Sequence, residues 1–191
     1  MITLRDMVKI TLNLVAVYVA GGAILAAMYI KTSPVIFRNG VNEKKAALQK
    51  IMPEAGRIEK LGDWTIHEKK AEYYAALDGD RRLGYIIESY GKGYSGYIHL
   101  LVALDTLFKV EDMSILSHTE TPGLGDEIES VWFRKQFRLK DIHRMRVSKT
   151  GDNDFIQAIS GATISSKGVT EDAVKNAIEF LNAALDRKKV S

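Results

Sequence analysis

The stretch WTIHEKKAEYYAALDGDRRLGYIIESYGKGYSGYIHLLVAL, Trp64 to Leu104, decides the fold. Its runs WTIHEK, AEYYAAL, RLGYIIES and YIHLLVAL are short and rich in β-branched and aromatic residues, and DGDRR and YGKGYSG punctuate them. Such runs between turn-forming clusters read as strands. FKVEDMSILS, residues 108–117, adds another, so the middle of the chain is a meander forming a mostly antiparallel sheet.

Toward the C-terminus the period changes. ESVWFRKQF (129–137) follows the loop HTETPGLGDEI (118–128) and reads as a helix with Val131, Trp132 and Phe137 on one face. RMRVSK and DFIQAI return to strand composition around a turn at residues 151–154. From Val169 onward, Ala173, Val174, Ala177, Ile178 and Leu181 recur at spacings of three and four, the pattern of an amphipathic helix packed on a sheet. Thr170 is its candidate cap, with Glu171 and Asp172 at the positive end and Arg187, Lys188 and Lys189 at the negative end. Toward the N-terminus, VNEKKAALQKIM (41–52) reads as a helix stopped by Pro53. This order of elements is that of an α+β domain.

Ahead of that domain, ITLNLVAVYVAGGAILAAMYI (Ile10 to Ile30) carries no charge and is bracketed by Lys9 and Lys31. A bilayer requires ~20 apolar residues, whereas a signal peptide's apolar region has only ~7 to 15. The run is therefore expected to be a single transmembrane helix. The expected partition is a tail (1–9), an anchor (10–30), a connector (31–40) and one domain (41–191). Gly22/Ala26 and Ala23/Ala27 are small residues four apart, and Asn13 is polar, features suited to helix contacts within a larger membrane assembly. Arg5 and Lys9 precede the span while Lys31, Arg38, Lys44 and Lys45 follow it, so charge alone slightly favours an N-terminus outside the cytoplasm.

Lys and Arg total 27 against 24 Asp and Glu, a net charge of +3 that argues for no nucleic acid partner. The absence of cysteine excludes thiolate catalysis, disulfides and Cys-ligated clusters, so a redox role needs a borrowed cofactor. His67, His99, His118 and His143 lack metal-ligand spacing, and neither a metal site nor a catalytic residue is expected. RKQFRLKDIHRMRVSK (134–149) reads as a solvated face, with docking to an acidic partner or anionic head groups as the alternative. Dinucleotide chemistry is expected to lie outside this chain.

Between the last strand and the last helix stands Ser160-Gly-Ala-Thr-Ile-Ser-Ser-Lys167. Unpaired N–H groups at a helix start favour phosphate. Gly161 permits close backbone approach, Ala162 leaves space, Thr163, Ser165 and Ser166 offer hydroxyls, and Lys167 offers charge. On the residues alone, the piece is a helix cap or a phosphate loop. It is not a Walker loop, because Lys167 precedes Gly168 and no second glycine stands before it.

SGATIS (160–165) resembles the flavinylation motif Ser/Thr-Gly-Ala-Thr of the FMN-binding domain shared by the G subunit of the Rnf electron-transport complex and the C subunit of sodium-pumping NADH:quinone oxidoreductase. GKGYSGYIHLLVAL (91–104) resembles the same family's Gly-Tyr-Ser-Gly strand start, and SHTETPGLGDEI (117–128) is similar to its ETPGLG loop. With the N-terminal span, the resemblance covers nearly the whole chain, and the length and element spacing fit the Rnf G subunit better. It implies FMN joined by a phosphoester to Thr163, with Ser160, Gly161 and Ala162 shaping the approach. It further implies Glu120, Thr121 and Leu124 against the ring or ribityl chain, Gly123 and Gly125 allowing close passage, and Lys167 near the phosphate.

The function so implied is that of a membrane-anchored electron carrier within an ion-translocating ferredoxin:NAD oxidoreductase, completing no turnover by itself. Its implied partners are the other membrane and redox subunits and a flavin transferase. Its FMN domain is expected on the extracytoplasmic side of the inner or plasma membrane. The alternative is a membrane-anchored binding or assembly module of the same fold without flavin.

Overall fold

The computed structural model describes residues 4–148 and 154–190, with side chains described as far as residue 185. Two compact units divide the chain, residues 1–43 and 44–191. Helix α1 covers Leu4–Ile51 and is long and apolar enough to cross a membrane. In the first unit its apolar side chains, such as Val17, Leu25 and Ile30, are exposed. Residues 31–40, expected to be a connector, are helical despite Pro34. A proline forfeits one backbone hydrogen bond in a helix interior, and the turns on either side are sustained here.

In the second unit, β1 (Arg57–Ile66), β2 (Lys69–Asp78), β3 (Arg81–Lys92), β4 (Tyr97–Asp105) and β5 (Val110–Ser117) form one antiparallel sheet in sequential order. The meander is therefore observed. The β1–β2 turn is illegible in the sequence because it contains no glycine. His67 and Glu68 themselves take φ of 50° and 61°, the double positive φ that a two-residue hairpin with right-handed strand twist requires. Asp172 accepts from the His67 ring at 2.9 Å and helps hold that turn. Gly91-x-Gly93-x-x-Gly96 has the spacing of a dinucleotide fingerprint, but it joins antiparallel β3 to β4. It leads into no helix whose N-terminus could take a pyrophosphate.

Successive side chains alternate between the two faces of the sheet, and both faces are covered. Tyr85, Ile87, Leu100, Val102 and Leu104 lie in one core with Val169, Ala173, Val174, Ala177, Ile178 and Leu181 of the C-terminal helix. Ile86, Leu101 and Ala103 lie in a second core with Leu48, Ile51 and Met52 at the end of α1. Burial on both faces explains why YIIES and LLVAL read as continuous apolar runs. Within the second layer, Glu88 is almost fully buried and accepts from Lys44 at 2.6 Å, from His99 at 2.6 Å and from the Glu72 N–H at 2.9 Å. Burial pushes its carboxyl up, but these donors outweigh it and the net direction is down.

Helix α2 covers only Val131–Lys135, capped by Ser130, whose hydroxyl accepts from the Phe133 N–H at 3.2 Å. Its buried residue is Phe133, joined by Phe137 in the turn that follows, which is buried as expected, while Val131 and Trp132 are exposed. The expected face is thus corrected by two positions. Strands β6 (Val147–Ser148) and β7 (Ile156–Gln157) form a short parallel pair; residues 149–153, most of the turn read between them, lie outside the described residues.

The C-terminal helix begins seven residues before the expected cap. Helix α3 (Thr163–Lys167) continues through a π-helical segment (Gly168–Val174) into α4 (Lys175–Val190). Thr170 is fully buried inside that segment and caps nothing. Asp172 and Glu171 accept from the Lys92 and Val147 N–H groups at 2.7 and 2.9 Å instead of facing a helix start. The cause is close backbone packing. A Cβ on Gly91 would lie 1.9 Å from the Gly168 carbonyl oxygen, so this pair of glycines lets the helix cross β3 in contact.

Candidate functional site

Three segments converge on an open cleft of about 490 Å³, lined by Tyr94, Glu120, Thr121, Leu124, Gly125 and residues 161–165. That size falls within the ~300–1,000 Å³ usual for cofactor clefts. Two similar turns shape it. In the first, Pro122 and Gly123 occupy the central positions, Gly123 has φ +74°, and the Leu124 N–H closes on the Thr121 carbonyl at 3.2 Å. In the second, Ser160 and Gly161 are central, Gly161 has φ +78°, and the Ala162 N–H closes on the Ile159 carbonyl at 3.0 Å. Positive φ at the third turn position is the type II requirement that glycine meets at least cost. The turns touch: a Cβ on Gly161 would stand 3.1 Å from Leu124 Cδ2.

The second turn delivers Thr163 as the first residue of α3, half-buried beside the cleft. The N-cap position belongs to Ala162, which has no side-chain oxygen to satisfy the first helical N–H groups. A phosphate oxygen could supply the acceptor that an alanine cap does not.

Glu120 joins the three segments. It is 5% exposed, and its carboxylate accepts from the Tyr94 N–H at 3.1 Å, the Ser95 N–H at 2.9 Å and the Ser165 hydroxyl. Burial pushes the carboxyl up, yet these donors, with Ser165 foremost, hold it below the ordinary glutamate value. The packing leaves no slack: a Cβ on Gly93 would sit 2.5 Å from Glu120 Oε1, and one on Gly125 would sit 2.7 Å from Glu120 Cβ. His118 Nδ1 accepts from the Glu120 N–H at 3.1 Å, so its proton sits on Nε2, which faces Glu129 at 3.0 Å.

Of the residues singled out in the sequence, Glu120, Thr121, Leu124, Gly125, Gly161, Ala162 and Thr163 line the cleft. Ser160, Gly123 and Lys167 do not; the first two form the turns, and Lys167 is exposed at the end of α3. Glu120 lines the cleft, and its carboxylate accepts from protein donors of two other segments, which braces the cleft. The hydroxyls offered to phosphate by Ser165 and Ser166 are also occupied: Ser165 donates to Glu120, and Ser166 donates to the Ala162 carbonyl at 2.9 Å while accepting from the Ile159 N–H at 3.0 Å. Tyr94 and Ile164, 73% and 53% exposed, join the site without having been singled out in the sequence. Tyr94 lies within the GYSG piece, in the loop between β3 and β4, and is the one large side chain of that loop. No metal-ligating cluster of His, Asp or Glu occurs among the described residues.

A family model described as FMN-binding domain matches residues 93–179, which include the whole cleft. The chain is 39% identical over 171 residues to the G subunit of the proton-translocating ferredoxin:NAD(+) oxidoreductase complex of Clostridium ljungdahlii, covering 89% of each chain. The chain belongs to the G subunits of ion-translocating oxidoreductase complexes. The family extends to the G subunit of an ion-translocating oxidoreductase complex of Methanosarcina acetivorans, 29% identical and covering 94% of this chain and 96% of that one. A solved structure of the C subunit of Na(+)-translocating NADH-quinone reductase from Parabacteroides distasonis shares the fold, with a TM-score of 0.57, 22% identity and coverage of 74% of this chain and 92% of that one. As a G subunit, the chain carries an FMN-binding domain behind an N-terminal apolar helix of membrane-spanning length.

Proposed function

We propose that this G subunit is a membrane-anchored electron carrier whose FMN is esterified to Thr163, and that it relays electrons between neighbouring subunits of an ion-translocating ferredoxin:NAD oxidoreductase. The observation that carries this reading is the position of Thr163: a hydroxyl at the first residue of a helix without a side-chain cap, opening into a cleft of cofactor size. Esterification needs a phosphoanhydride of FMN as donor. The Thr163 Oγ–P bond replaces the anhydride P–O bond, the hydroxyl proton departs, and the second phosphate is the leaving group. A flavin transferase supplies that reaction.

The residues fit the group. Gly161 and Ala162 leave room above the helix start, the first helical N–H groups face the phosphate, and Thr121, Leu124, Tyr94 and Ile164 offer an apolar and aromatic wall to the ring. When bound, FMN supplies the redox chemistry; the protein fixes its position and solvent access. A covalent tether makes return of the ring to the cleft intramolecular, so the carrier is not lost by dilution. The FMN domain lies on the extracytoplasmic side, and a folded domain translocates with little regard to its own charge.

Expression of the full chain with a flavin transferase tests this. Flavin fluorescence that stays with the polypeptide through denaturing electrophoresis is expected for the parent, absent from Thr163→Ala and retained in part by Thr163→Ser. Colour that persists in Thr163→Ala contradicts the assignment.

A further inference from the structure

A second concavity, of about 680 Å³, lies at the end of α1 and shares no lining residue with the flavin cleft. Its floor is apolar, made by Ile51 and Met52 with Leu83, and Val131 and Leu139, 56% and 67% exposed, stand at its rim. Five cations line it. Arg134 is committed to the Met113 and Glu129 carbonyls, and Arg82 to the Tyr85 hydroxyl and ring. Arg81, Lys135 and Arg138 are exposed and form no ion pair within 4 Å among the described residues. Glu54, Glu111 and Asp112 occupy the same groove, so its potential is mixed rather than uniformly positive.

We propose that this groove docks an acidic, apolar-flanked segment of a neighbouring protein in the complex. The proposal rests on the reading of the chain as one member of a multi-subunit assembly. Three exposed cations without such an ion pair among the described residues, of which Arg138 also acts on Glu111 across the groove, stand around an apolar floor. They match a segment that sets carboxylates at the rim and an apolar side chain on Ile51 and Met52. An anionic bilayer surface fits less well, because a plane cannot reach the floor, whereas a segment with shape can set its carboxylates toward Arg81, Lys135 and Arg138 and away from Glu54, Glu111 and Asp112. The exposed apolar side chains on the α2 side of the groove gain burial only from an occupant with shape.

The test uses the full chain, tagged and expressed with its complex. In Arg81→Glu/Lys135→Glu/Arg138→Glu, subunits that co-purify at physiological salt are expected to fall about tenfold, while covalent flavin per chain is unchanged. Unchanged flavin separates failure of docking from failure of the flavin site. Independently, a photoreactive side chain at Val131 in an otherwise unaltered chain is expected to cross-link to a segment of another subunit that carries Asp or Glu beside apolar residues. Replacing those acids by Lys should restore co-purification of the triple variant. Undiminished co-purification, or an adduct to lipid, to a second copy of this chain or to nothing, overturns the proposal.

Discussion

Glu120→Gln tests the brace at the centre of the cleft with almost no change of shape. In the parent, Oε1 accepts from the Ser95 N–H at 2.9 Å, and Oε2 accepts from the Tyr94 N–H at 3.1 Å and from the Ser165 hydroxyl. The amide keeps its oxygen toward Ser95 and sets its NH2 against Tyr94, donor facing donor. Ser165 can rotate its hydroxyl to accept. One charge-assisted hydrogen bond is lost, and two others lose the charge. A hydrogen bond to a charged group contributes about 1.5–3 kcal/mol. Exposed Tyr94 can recover water, so the net destabilisation is about 2 kcal/mol, or ~4–8 °C in Tm for a domain of this size.

The pH dependence has a definite sign. The folded pKa of Glu120 lies below the unfolded value. Its stabilisation is therefore complete above about pH 4.3 and is lost as pH falls through the folded value. The glutamine variant should lack that part of the acid response. Fluorescence of Trp64 and Trp132, the chain's two tryptophans and both in the second unit, follows unfolding of the detergent-solubilised protein. A Tm within about 1 °C of the parent, with an unchanged acid limb, refutes the bracing role.

Gly161→Ala forces φ near +78° on a residue with a Cβ and presses that atom to 3.1 Å from Leu124 Cδ2; a loss of about 1–2 kcal/mol and a lower flavin-to-protein absorbance ratio are expected. Lys44→Ala leaves Glu88, 5% exposed at its side chain, without its ammonium partner, and removal of one member of such a pair typically costs about 3–5 kcal/mol, with the lower end of that range expected while His99 remains. The same substitution shifts the acid limb upward. Glu72 is held at about 2, chiefly by hydrogen bonds from Lys44 and then Lys60 and Tyr74. Its stabilisation is present above about pH 4.3 and lost toward about pH 2. Without Lys44, acid unfolding followed by tryptophan fluorescence should begin at higher pH.

Most of the sheet is legible because its strands carry β-branched and aromatic runs between glycine-bearing turns, and the membrane-length part of α1 because residues 10–30 are uncharged. What escapes a reading of the sequence is set by tertiary contact. The His67-Glu68 turn owes its positive φ to hairpin geometry and to Asp172, far away in sequence. Thr170 reads as a cap, yet the helix starts at Thr163 because the Gly91–Gly168 contact carries it across β3. Val131 and Trp132 look like core but lie on the exposed side of α2, while Phe133 and Phe137 enter the core. At the cleft, the motifs announce both loops and Thr163. The inward turn of the Glu120 carboxylate is not visible in them, because its three donors come from two segments distant in sequence.

Intact-mass measurement of the full chain co-expressed with a flavin transferase bears most directly on the attachment at Thr163. A single species heavier than the polypeptide by one FMN less one water, with the increment mapping to the peptide that contains Thr163, is the predicted result. An unmodified polypeptide mass, or the same increment on another residue, contradicts it.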